Sequence, residues 1–239
     1  GGSSIGAMLL GLADELKPEE GEEYGGLYLM NGLGFFPHGI IDQHFDRKSR
    51  LGRLIVAMLL NKNITTKGFG IDENTAMVYY GKSNTIETIG SGGVTIIDIS
   101  KAKQNNQCKC FNVENVNISY ISNNDIYNIN TSEFIINRNK NKTVGKEFMN
   151  IPSPNSTGAL SSYTLLKDLI SYKLIDNLAS NSARSYCFED EGCGFELLFK
   201  QAENSEGYWT YNDGVNIVYT VLNIRVDITP IEIEIKKYL

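Results

Sequence analysis

The sequence predicts an α/β fold, and three observations carry that prediction. From Ser4 to about Ile99, helix-like and strand-like segments alternate and are joined by short glycine-containing loops, the order that builds a sheet with helices on its faces. Leu51, Leu54, Ile55, Met58 and Leu59 recur at helical spacing, so Asp46 to Leu60 reads as an amphipathic helix packed on that sheet. With 239 residues, 41% of them hydrophobic, the chain has enough apolar surface for one substantial core.

Taken in order, Gly6 to Leu16 reads as a helix, with Pro18 and the run Glu19 to Glu23 as the loop after it. Leu27 to Leu33 and Gly39 to Asp42 read as short strands, followed by the Asp46 to Leu60 helix. Gly70 to Tyr80 and Gly93 to Ile99 then read as strands, the second rich in Val, Thr and Ile. Residues 1–100 are thus expected to form the α/β core. After Ser100 the composition shifts to Asn, Ile and Tyr, and alternation such as Asn117-Ile118-Ser119-Tyr120-Ile121 predicts hairpins, so 101–150 reads as a β-rich insertion. Tyr163 to Leu178 has the period of a second amphipathic helix. Gly214 to Tyr238 alternates as paired strands, so 151–239 is expected to complete the same domain.

The net charge of −6 and pI near 5.1 give no electrostatic footprint for nucleic acid. The longest apolar run, Leu54 to Leu60, is far shorter than the ~20 residues that span a bilayer. Four cysteines stand as Cys108-x-Cys110 and Cys187-x5-Cys193, which fits two local disulfides or free thiols. Neither spacing is that of a common zinc site and no histidine lies near, so no metal or cofactor is expected.

Gly2-Ser3-Ser4-Ile5-Gly6 fits G-x-S-x-G, the turn that exposes a nucleophilic serine between a strand and a helix. Only His38 and His44 can serve as its base. His44 follows Ile40-Ile41-Asp42-Gln43, a short apolar strand ending in a polar cluster, where α/β sheets gather their functional groups. Arg47, Lys48, Arg50 and Arg53 come next. Cations in the first turn of a helix are disfavoured by about 0.3–1 kcal/mol unless an anion binds there, so this run predicts a carboxylate site.

G-L-G-F-F at 32–36, I-I-D-Q-H-F at 40–45, R-L-G-R-L at 50–54 and G-I-D-E-N-T-A at 70–76, with G-S-S-I-G-A at 2–7, resemble the motifs of cyanophycinases, the S51 serine peptidases, in order and spacing. The resemblance implies a three-layer α/β/α sandwich of the class I glutamine amidotransferase-like type. It also implies hydrolysis of cyanophycin, a polyaspartate bearing arginine on each side chain, to β-Asp-Arg dipeptides. By the same resemblance Ser4 is the nucleophile and His44 the base, the N–H of Ile5 donates to the oxyanion, and Asp42, Gln43, Lys48, Arg50 and Arg53 line the substrate pocket. Lys48 stands where the family usually has Arg, and Ile5 replaces a small Ala. The acidic partner of His44 is Glu22, near the family's expected position, or Glu73.

The family's N-terminal strands have no counterpart before Gly1. A separate N-terminal chain completing the sheet is therefore the expected partner, beside an Asp- and Arg-rich peptide substrate; a homodimer is left open. A reserve-polymer enzyme would be cytoplasmic, and secretion is equally left open. Two other functions stay in view: an aspartyl dipeptidase of the same fold, and a catalytically silent binding or structural subunit.

Overall fold

The computed structural model describes residues 35–105, 110–152, 160, 163, 165–188, 193–232 and 234. Its elements in chain order are β1 (Ile40–Gln43), α1 (Leu51–Leu60), β2 (Lys67–Ile71), β3 (Thr75–Tyr80), β4 (Thr85–Gly90), β5 (Gly93–Asp98) and β6 (Val113–Ser122). There follow β7 (Ile126–Asn128), β8 (Phe134–Ile135), β9 (Asn141–Lys142), α2 (Leu166–Ile170) continuing into a π-helical turn (Ser171–Ile175), β10 (Ser182–Phe188), β11 (Cys193–Lys200), β12 (Glu206–Asn212) and β13 (Asn216–Glu232). The expected helix at Gly6 to Leu16 and strand at Leu27 to Leu33 lie outside the described residues.

A nine-stranded sheet organises the molecule, in the order β1-β2-β5-β6-β13-β11-β10, with β12 and β9 joined through β13. Among the described residues only β1 and β2 are strands that pair in parallel; the chain returns between them through α1, the crossover that a parallel pair requires. Residue alternation sends side chains to both faces. Ile97, Ile118 and Val226 meet α1, α2 and the π-helical turn on one face, together with Leu54, Met58 and Leu169. Phe69, Val94, Ile96 and Ile121 point the other way and meet Ile86 and Tyr127 of a second sheet, ordered β3-β4-β7-β8.

The architecture is therefore mixed α/β with a large central sheet and few helices. Among the described residues the second face is covered by a small sheet, where an α/β/α sandwich would place helices. Within 101–150 the strand β6 lies inside the central sheet, paired with β5 and β13.

Three boundaries differ from expectation for local reasons. Gly70 to Tyr80 is two strands in two sheets, because Asn74 at φ 53° turns the chain between them. The helix expected from Asp46 begins at Leu51; Ser49 at φ 54° and hydrogen bonds such as Ser49 N–H to Asp46 O hold 44–50 in turns. Of the helix expected over Tyr163 to Leu178, only Leu166–Ile170 is α-helical before the ladder widens to the π turn. Helix α1 ends at Asn61, whose side-chain amide donates to Ala57 O at 2.9 Å and satisfies one of the last carbonyls.

Candidate active site

The site begins where β1 ends. Phe45 is fully buried in the core under α1, and its N–H donates to Ile71 O, so the chain must turn sharply after Gln43. His44 absorbs that turn in the left-handed region, at φ 50°. A histidine held there is a strained choice that persists only where its surroundings impose it, and such residues cluster at functional sites. Gly70 of β2 makes room: a Cβ there would fall 2.3 Å from the Phe45 ring.

The His44 ring is half-exposed, and its Nδ1 lies 3.1 Å from Oε1 of Glu73 in the turn after β2. The other oxygen, Oε2, accepts a hydrogen bond from Arg47 Nη1 at 3.1 Å. The hydrogen bond from Arg47 lowers the pKa of Glu73, assisted by His44, so the carboxylate stays ionised beside the imidazole. This is the geometry in which an acid fixes a histidine's tautomer and leaves Nε2 for a reacting proton. Of the two acidic candidates, Glu73 is brought to His44; Glu22, Ser4 and Ile5 lie outside the described residues.

The basic run divides into three environments. Arg53 is 5% exposed and grips the fully buried Asp42 with two hydrogen bonds, Nε to Oδ2 at 2.7 Å and Nη2 to Oδ1 at 2.5 Å. Arg50, at the helix N-cap, donates to Asp42 Oδ1 at 2.9 Å and to the Gln43 carbonyl, with 15% of its side chain exposed. Burial lowers the Arg50 pKa and the Asp42 charge opposes that. The Asp42 carboxylate also accepts the Gln43 N–H at 2.8 Å. Arg47 and Lys48 stand exposed on the outer side of the turn. For Arg50 and Arg53 the carboxylate that this basic run meets is thus the protein's own Asp42.

A cleft of about 420 Å³ is lined by Arg47 and Glu73 together with Asp46, Asp72, Leu165 and Lys167. Neither Asp46, which is buried, nor the partly buried Asp72 figured among the expected site residues. Asp46 is pushed up to about 6, first by burial and then by the Asp72 charge, against the N–H groups of Leu166 and Lys167. Asp72 is also raised, chiefly by burial, although Tyr120 Oη donates to it at 3.0 Å. The other histidine, His38, is 2.7 Å from Tyr79 Oη and packs edge-on to Phe36, remote from this turn in its contacts. Among the described residues no three His, Cys, Asp or Glu side chains are gathered as metal ligands, and no helix is long and apolar enough to cross a membrane.

No family model matches the chain. It is 31% identical over 140 residues to the cyanophycinase of Synechococcus elongatus, which covers 56% of this chain and 42% of that protein. To the cyanophycinase of Geminocystis herdmanii it is 33% identical over 140 residues, 56% of this chain and 50% of that one. To that of Trichormus variabilis it is 37% identical over 79 residues, 33% of this chain and 26% of the relative. The chain spans about half the length, or less, of the curated relatives it matches.

Proposed function

We propose that this chain carries the catalytic half of a serine-type peptidase acting on cyanophycin or a closely similar Asp- and Arg-rich polymer. The observation that carries the reading is the His44–Glu73 hydrogen bond on a left-handed residue at the end of β1, with Arg47 holding the second carboxylate oxygen. The likeness to cyanophycinases supplies the substrate class.

In this reading His44 Nε2 takes the Ser4 hydroxyl proton as Oγ attacks the scissile carbonyl, and Glu73 stabilises the imidazolium that forms. The N–H of Ile5 donates to the developing oxyanion. His44 then returns the proton to the leaving amine, and water, deprotonated by the same imidazole, releases the acyl group from Ser4. Asp42, Gln43, Lys48, Arg50 and Arg53 make up the substrate side with divided labour. Arg53 and Asp42 brace the pocket from within, while Arg50 and the exposed Lys48 meet the carboxylates of the terminal residues.

The test is incubation of the native material with cyanophycin, with β-Asp dipeptides and with α-Asp dipeptides, for wild type and Ser4→Ala. Release of β-Asp-Arg from the polymer that disappears in Ser4→Ala is the expected result. Turnover of dipeptides alone would assign the aspartyl dipeptidase function instead, and no turnover of any substrate would leave a silent binding subunit.

A further inference from the structure

Asp46 ties three separate parts of the chain together from a position only 5% exposed. Its own N–H donates to Asp72 Oδ1 at 3.2 Å, joining the turn that bears His44 to the turn that bears Glu73. Its carboxylate accepts the Leu166 N–H at 2.6 Å and the Lys167 N–H at 3.2 Å. These are orphan donors at the start of α2, where Leu165 in the capping position has no side-chain oxygen and makes no cap. A residue 120 positions earlier therefore supplies the cap. Leu165 and Lys167 also line the cleft, together with Arg47 and Glu73.

Resting on the hydrolase reading above, we infer that Asp46 is a positioning residue: its carboxylate holds the 165–167 wall against the His44 turn and so sets the width of the substrate cleft. An ionised carboxylate has two acceptor oxygens and takes both N–H groups. The protonated acid, or an asparagine, has one good acceptor and turns a donor toward the other N–H, so one side of the clamp is lost.

The groups that face Asp46 decide where this happens. Asp72, beyond β2, opposes its ionisation; the Lys167 ammonium and the two N–H groups of α2 favour it; Tyr120 of β6 and Gly93 of β5 are engaged with Asp72. Burial and Asp72 prevail, and the pKa rises from 3.8 to about 6. Because the folded-state value lies above the unfolded one, ionisation as pH rises through about 6 costs stability. The clamp is closed in that costlier form. A substitution that removes the charge should accordingly weaken the cleft without weakening the fold, which a merely structural cap would not do.

The experiment compares wild type, Asp46→Asn and, should Asn fold poorly, Asp46→Ser, by amide hydrogen exchange and by steady-state kinetics on cyanophycin from pH 5 to 8. The amides of 166 and 167, corrected for intrinsic rates, should exchange about fivefold faster in Asp46→Asn at pH 7.5, the population change a lost cap gives. Wild type should show the same acceleration between pH 7.5 and 5. KM should rise in parallel by a similar factor with kcat within about twofold, and in Asp46→Asn the KM should lose its pH dependence near 6. Unchanged exchange at 166 and 167 would overturn the clamp, and faster exchange with unchanged KM would overturn its role in binding. Absence of turnover in wild type would sink the hydrolase reading alone, since the exchange measurement still decides the clamp.

Discussion

His44 and Glu73, 29 positions apart in the chain, meet through a 3.1 Å contact between Nδ1 and Oε1 because β1 and β2 are parallel neighbours whose C-terminal ends lie side by side. In the proposed mechanism that contact makes Glu73 the group that orients the imidazole. Glu73→Gln keeps the shape and removes the charge, and should lower kcat by roughly 10²- to 10⁴-fold with little change in KM. Thermal melting should be nearly unchanged, because the pair is solvent-exposed.

Arg47 holds Glu73 from the other side, and it is the main cause of the lowered Glu73 pKa. A depressed carboxyl pKa means that the ionised form is favoured down to lower pH. Arg47→Ala should therefore move the Glu73 titration upward toward 4.5, as read by carboxyl-carbon NMR. The activity cost should be small, roughly twofold to fivefold in kcat/KM, since 69% of the Arg47 side chain is exposed. High salt should shrink the difference between variant and wild type.

The Asp42–Arg53 pair is the opposite case, with exposures of 0% and 5%. Arg53→Ala leaves a buried carboxylate with only Arg50 to answer it, and should cost about 3–5 kcal/mol of unfolding free energy in urea titrations. Arg53→Lys should recover part of that, because one ammonium cannot reproduce the two-pronged grip. A loss of activity in Arg53→Ala without loss of stability would place Arg53 in substrate contact instead.

Gly70 couples packing to the site. With a Cβ 2.3 Å from the Phe45 ring, Gly70→Ala forces that ring to move, and Phe45 is the residue directly after His44. We expect a destabilisation of about 1–3 kcal/mol and a fall in kcat larger than that of a distant core variant of equal stability cost.

How much of this was legible in the sequence depended on whether the cause was local. The β1 strand and the position of His44 at its end could be read from Ile40-Ile41-Asp42-Gln43-His44, since apolar residues giving way to polar ones mark a strand's functional end. Leu51, Leu54 and Met58 revealed the helix, but not that it starts at Leu51; the intervening turns depend on Phe45 being drawn into the core. The inward turn of Arg53 was hidden because its partner Asp42 sits on a strand while Arg53 sits on a helix, so no single period relates the two. Asp46 was invisible as a cap, since its helix lies 120 residues downstream. The only sign was an acidic residue in a basic run. The central place of β6 was equally non-local, set by pairing with β5 and with β13 near the C-terminus.

Activation of Ser4 by His44 and Glu73, as proposed above, can be read by covalent labelling. Native protein is treated with a serine-directed fluorophosphonate, and the modified peptide is located by mass spectrometry in wild type, Ser4→Ala, His44→Ala and Glu73→Gln. One adduct on Ser4 is expected in wild type, absent in Ser4→Ala and strongly slowed in the other two. Labelling of a different residue, or labelling of Ser4 at the same rate when His44 is replaced, would contradict it.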